Sequence, residues 1–166
     1  LKDDEVALQK FNLCLKIDSS RSETYVALAK YYFDKKDFKI AKEYVDKGIN
    51  VSPSYILYAT AADVLEEQYR LSQDDNKMVL INNAEQMCLK SIEMAEADGE
   101  DVGVLKIKLF LLNLEMGKRQ NAIDIADELL EVYYDNPDIY FNVGLLYQEL
   151  STQLYDSAVE LYKLFN

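Results

Sequence analysis

Residues 22–53 read SETYVALAKYYFDKKDFKIAKEYVDKGINVSP, and the spacing inside this stretch decides the fold. Tyr25, Leu28, Ala29 and Tyr32 stand three or four apart, which places them on one face of a helix. After Lys35, Lys36 and Asp37, a second series follows in Phe38, Ala41, Val45 and Gly48. Two helices are therefore expected. The first covers about 23–35 with Ser22 as its N-cap. The second covers about 38–51 and ends at Ser52 and Pro53, because proline disfavours helix at the residue before it. Ala41 and Gly48 are small, and their place on the contact face predicts a close approach. A larger side chain there would push the paired helices apart.

The pattern returns further on. Tyr140, Val143, Gly144 and Tyr147 repeat the first helix, and Tyr155, Ala158 and Tyr162 the second. Ahead of residue 22, Ala7, Phe11, Cys14 and Ile17 fit a second helix whose own first helix is missing. On these residues the chain resembles the tetratricopeptide repeat family, whose period is about 34 residues. In that family an aromatic residue opens helix A, a Leu and a small residue come next, and a Tyr follows; Tyr25, Leu28, Ala29 and Tyr32 take those places. The resemblance implies an all-α fold, an alpha-alpha superhelix (a right-handed solenoid) of antiparallel helix pairs. It implies one domain over residues 1–166: a half repeat at 1–19, repeats at 22–53 and 55–97, a divergent repeat at 102–134, and a last repeat at 137–166 that stops just inside its final helix. An irregular helical bundle is the alternative, which the fixed period disfavours.

Two repeats depart from the pattern. In 55–97, Tyr58, Ala61, Ala62 and Leu65 match helix A, but Ala84 of helix B arrives late, so a helical insertion is expected at about 66–81. Its turn falls on Ser72 to Asn76, and exposed Tyr69, Leu71, Met78 and Val79 would stand near the tip of a long projecting hairpin. In 102–134, Gly117 and Ala122 are correctly spaced, while helix A is apolar nearly all round and Asn113 stands where the family has Tyr. A helix of that kind is normally buried on most sides.

Composition narrows the function. A formal charge of -12 repels phosphate backbones, so nucleic acid is not an expected partner. No stretch has the roughly 20 apolar residues that a membrane span needs, and no signal peptide is recognisable, so membrane insertion is not expected. A cytoplasmic location is favoured; a secreted or envelope location stays open because the chain begins at Leu1. Histidine is absent, which removes most nucleophilic and acid-base constellations. Cys14 and Cys88 read as small buried hydrophobes without metal spacing. The acid pairs Asp3-Asp4, Glu66-Glu67 and Asp74-Asp75 read as solvated, and no glycine-rich phosphate cradle occurs. No enzyme activity and no cofactor or metal are expected.

Stacked helix pairs curve and present a concave face lined mainly by helices A. By resemblance to the family, that face takes Val26, Ala27, Lys30 and Phe33 from the first full repeat, and Ala59, Thr60, Asp63 and Glu66 from the next. It takes Ile107, Lys108, Leu111 and Leu114 from the divergent repeat, and Phe141, Asn142, Leu145 and Gln148 from the last. Phe33, Leu111, Phe141 and Leu145 are apolar anchors for a peptide or helix of a partner protein, or else core residues covered by a neighbouring helix. Family members that clamp acidic chaperone tails carry Lys and Asn at set places. Here those places hold Val26, Lys30, Thr60, Val104 and Lys108, so that clamp is mostly missing. The expected role is a non-catalytic protein-protein interaction module. The alternatives are a scaffold that self-associates through its ends or its hairpin, as a homo-oligomer, and a regulatory domain of a larger protein.

Overall fold

A computed structural model describes residues 2–73 and 77–134 together with Pro137, Tyr140, Phe141, Val143, Gly144, Leu145, Tyr147, Gln148, Leu150, Ser151, Thr152 and Tyr155. Asp74 to Asn76, at the centre of the expected hairpin turn, and Asn142, Ala158 and Tyr162 lie outside the described residues. Seven helices have defined bounds: α1 Lys2–Ile17, α2 Ser22–Asp34, α3 Phe38–Val51, α4 Tyr55–Leu71, α5 Lys77–Ala97, α6 Gly103–Glu115 and α7 Arg119–Val132. No strand occurs among the described residues. The chain divides into two compact units, Leu1–Asp101 and Val102–Asn166.

In the first unit the pairing follows from small residues. Gly48 lies near the end of α3, where an added Cβ would come within 2.7 Å of the Tyr25 Cβ and 2.8 Å of Leu57 Cδ2. Only a hydrogen fits there. This contact joins the start of α2, the end of α3 and the start of α4, so consecutive helices run antiparallel while α2 and α4 run the same way. Around it Leu28, Ala29, Ala41, Val45 and Leu57 are fully buried. Tyr25 is buried as well, and its hydroxyl donates to the Ser19 carbonyl at 2.9 Å. The Tyr32 and Tyr44 rings stack across α2 and α3 at 5.5 Å. On the next pair, the Ser91 hydroxyl donates to the Tyr55 carbonyl at 2.8 Å, tying the end of α5 to the start of α4.

The helix ends are set locally. Arg21, in extended backbone, precedes α2, so the helix starts at Ser22 itself and Ser22 is not its cap. α3 matches its expected span, and the Asp37 carboxylate caps it by accepting from the Ile40 amide at 3.1 Å. Ser54 caps α4 through the Leu57 amide. Where an insertion is expected both partners are long: α4 has 17 residues and α5 has 21, against 13 and 14 in the preceding pair. Near its tip Leu71, Met78 and Val79 are exposed. Tyr69 is not: it is half-buried, with the Lys77 ammonium 4.5 Å from its ring centroid. Cys14 also departs from expectation, being half-buried with its sulfur 3.2 Å from the Thr24 hydroxyl, whereas Cys88 is buried. The Lys35 to Asp4 pair fixes the other end of α1 against α2, and it holds the Asp4 carboxyl below and the Lys35 ammonium above their ordinary pKa values.

In the second unit α6 and α7 form an antiparallel pair, with Lys106 near the start of α6 bound to Glu128 near the end of α7. Phe110, Leu114, Ala122, Ala126 and Leu129 pack with Val143 and Leu150 into one core. The Tyr147 hydroxyl donates to Asp127 at 2.9 Å, which raises the Tyr147 pKa. Tyr140 and Tyr155, which match packing positions of the pattern, are exposed.

Candidate partner-binding groove

Of the groove residues expected in the first unit, Val26 and Lys30 line a common hollow. A furrow of about 350 Å³ runs between α2 and α4, lined by Ser22, Glu23, Val26 and Lys30 from α2 and by Ser54 and Ile56 from the start of α4. It exists because α2 and α4 run parallel and touch near Leu57, leaving a channel between their outer faces. Val26 is half-buried. Ile56 is 38% exposed, an apolar side chain on the rim. Lys30 is exposed and has no ion pair among the described residues, whereas Glu23 lies 3.5 Å from the Arg21 guanidinium.

On α4 the rest of the expected lining differs. The Thr60 side chain is buried and its hydroxyl donates to the Ile56 carbonyl of its own helix at 2.8 Å. Glu66 is likewise buried, held by Arg70. Both are therefore turned away from an open face. Ile56, Ala59 and Asp63, spaced three and four apart, form the accessible line instead. Phe33 is half-buried with its ring edge-on to Phe38 at 5.2 Å, and so closes the end of the pair. Ile56 is the residue that sequence reasoning missed. Its signal was present as an apolar residue two positions after the Ser54 cap, in register with Ala59 and Asp63.

In the second unit Ile107 and Leu111 pack against the core formed by Phe110, Ala122 and Leu129, and Leu114 is buried within it. They are core residues and not open anchors, because α6 is apolar on most of its circumference and α7 offers small Ala122 and Ala126 opposite. Lys108 is half-buried. Phe141 and Leu145 are exposed, at 68% and 48%, and Gln148 is exposed too.

A second hollow, about 240 Å³, lies on the opposite side of the first unit between α3, α4 and α5, lined by Lys42, Asp46, Ala61, Leu65, Asn83 and Met87. Its two charges neutralise each other, with the Lys42 ammonium 2.6 Å from Asp46. No group of three or more His, Cys, Asp or Glu side chains converges on a metal-sized site among the described residues. No described helix is long and apolar enough to cross a membrane. Where titration is displaced, it moves away from neutrality: Ser20 donates to the Asp18 carboxylate and lowers its pKa, Glu93 raises Lys90, and burial raises Tyr32.

These features define an all-α chain of TPR-like helix pairs. Among solved structures it is similar to two of MamA. One superposes with a TM-score of 0.64 at 22% identity over 98% of this chain and 86% of that one. The other gives 0.63 at 22% identity over 98% and 80%. The likeness places the fold in the alpha-alpha superhelix class. No protein-family model matches the chain, and no curated protein matches it in sequence.

Proposed function

We propose that the chain is a non-catalytic interaction module that holds a segment of a partner protein in the furrow between α2 and α4. The observation that carries this reading is the juxtaposition of apolar Val26 and Ile56 with the uncommitted charge of Lys30 in an open channel. Apolar surface that a monomer leaves open beside a polar rim gains free energy when covered, roughly 1.5–3 kcal/mol for a fully buried aliphatic side chain. The same physics applies to Phe141 and Leu145, which offer a further apolar contact in the second unit.

The test is capture of a binding protein by the immobilised chain. Ile56→Asp and Val26→Asp should each abolish capture with the helical circular dichroism unchanged, while Lys42→Glu, in the other hollow, should leave it intact. The opposite pattern would contradict the furrow. A second reading, self-association through the hairpin tip, is favoured by the exposure of Leu71, Met78 and Val79. Sedimentation separates the two, since a chain that stays monomeric at high concentration does not assemble through that tip.

A further inference from the structure

The side of α1 that α2 leaves uncovered is apolar, and the next hairpin shows what such a side receives. The offset that carries Gly48 of α3 onto Cys14 of α1 carries Ala41 onto Ala7, Tyr44 onto Lys10, Val45 onto Phe11 and Val51 onto Ile17. Cys14 also repeats its counterpart's contact. Its sulfur lies 3.2 Å from the hydroxyl of Thr24, the third residue of α2, as Gly48 lies against Leu57, the third residue of α4. α1 therefore sits on α2 as α3 sits on α4. α3 has a second neighbour, because α2 packs antiparallel along its other side through the stacked Tyr44 and Tyr32 rings. On α1 the matching side is open: among the described helices α1 packs against α2, and no described residue of α1 is buried. Lys10, the counterpart of Tyr44, lies there in a stripe with Val6, Leu13 and Ile17, which are 48%, 50% and 79% exposed. Steps of four, three and four residues are the spacing of a two-helix seam.

We infer that this stripe pairs with the same stripe of a second copy of the chain, the two α1 helices running antiparallel about a two-fold axis. Antiparallel is the direction α2 takes against α3, and a two-fold axis across the helix enforces it. With the axis between Lys10 and Leu13, Val6 meets Ile17 of the second copy at each end. Each Lys10 stem then lies along a Leu13, and its ammonium reaches the rim. A parallel pair would set Lys10 against Lys10. The contact uses one patch twice, so it closes at two chains and does not grow into a filament. Four side chains from each copy are far fewer than the roughly 20 to 30 residues a side of a standard interface, so the dimer exchanges with monomer.

Sedimentation of the chain over a concentration series tests the inference, with circular dichroism confirming that each variant keeps its helices. The expected result is a monomer-dimer equilibrium with no larger species. Leu13→Asp and Ile17→Asp should each weaken the dimer about tenfold or more, since each puts a charge into the apolar seam. Lys10→Leu should strengthen it by about the same factor. Val26→Asp in the furrow and Met78→Asp at the hairpin tip should leave it unchanged, which separates this contact from both readings above. A wild-type chain that is monomeric at every concentration overturns the inference. So does a dimer that survives Leu13→Asp or is lost with Met78→Asp. A monomer that loses a captured binding protein on Leu13→Asp would also overturn it, and would give the stripe to a partner's helix.

Discussion

The pairs α2–α3 and α6–α7 are the same hairpin built with inverted volumes. Their turns coincide bond for bond: Lys36 donates to the Phe33 carbonyl at 2.8 Å and Asp37 to Tyr32 at 2.9 Å, as Gly117 donates to Leu114 at 2.9 Å and Lys118 to Asn113 at 2.8 Å. The offset that carries Lys36 onto Gly117 carries Leu28 onto Leu109 and Ala41 onto Ala122, which are retained in kind. Elsewhere size is exchanged. Ala29 becomes Phe110 and Gly48 becomes Leu129, while Tyr32 becomes Asn113 and Val45 becomes Ala126. The large side chain therefore comes from a different position of the interface in each pair.

The largest way to break this equivalence is to remove the residue that fills the second hairpin. Phe110→Ala should lower its stability by about 3–5 kcal/mol, read as a shift in urea midpoint. Tolerance of the change would mean that Phe110 does not do the packing assigned to Ala29 and Tyr32 together. Filling the gap in the first hairpin should also be costly. Gly48→Ala improves helix propensity by about 1 kcal/mol. It nonetheless places a methyl against Tyr25 and Leu57, and a net loss of about 1–3 kcal/mol is expected from thermal melting.

Asn113 sharpens the comparison. Its amide donates to the Leu109 carbonyl at 2.8 Å, but its Oδ1 is buried with no hydrogen-bond partner among the described residues. Asn113→Leu should therefore stabilise the second hairpin by about 1 kcal/mol in the same denaturation experiment, whereas Tyr32→Leu should destabilise the first. The caps differ by a similar amount. Asp37 caps α3 and Lys118 makes no side-chain cap on α7, so Lys118→Asp should add about 1 kcal/mol and Asp37→Ala should remove as much. The smallest effect belongs to the turns: Lys36 holds φ +60°, where Gly117 holds +71° without a Cβ, so Lys36→Gly should raise the melting temperature slightly, for about 0.5 kcal/mol.

This comparison also shows what the sequence makes legible. Helix bounds and register were readable in α3 because Phe38, Ala41, Val45 and Gly48 keep one face and Pro53 ends it. The register of α6 was readable from Gly117 and Ala122 despite its unusual core. Accessibility was harder. Val26 and Lys30 do line a channel, but the line on α4 follows the Ser54 cap through Ile56, and counting from Tyr58 turned it inward to Thr60 and Glu66. Ile107 and Leu111 match groove positions by spacing, and only the small faces of α7 decide that they pack inward. Periodicity tells which residues share a face, and it does not tell what covers that face.

The central claim is that a partner segment lies between α2 and α4, and methyl nuclear magnetic resonance of the chain titrated with a captured binding protein tests it most directly. The Val26 and Ile56 methyl signals should shift with saturation while those of Leu65 and Met87 stay in place. Shifts confined to Leu65 and Met87, with Val26 and Ile56 unmoved, would contradict it.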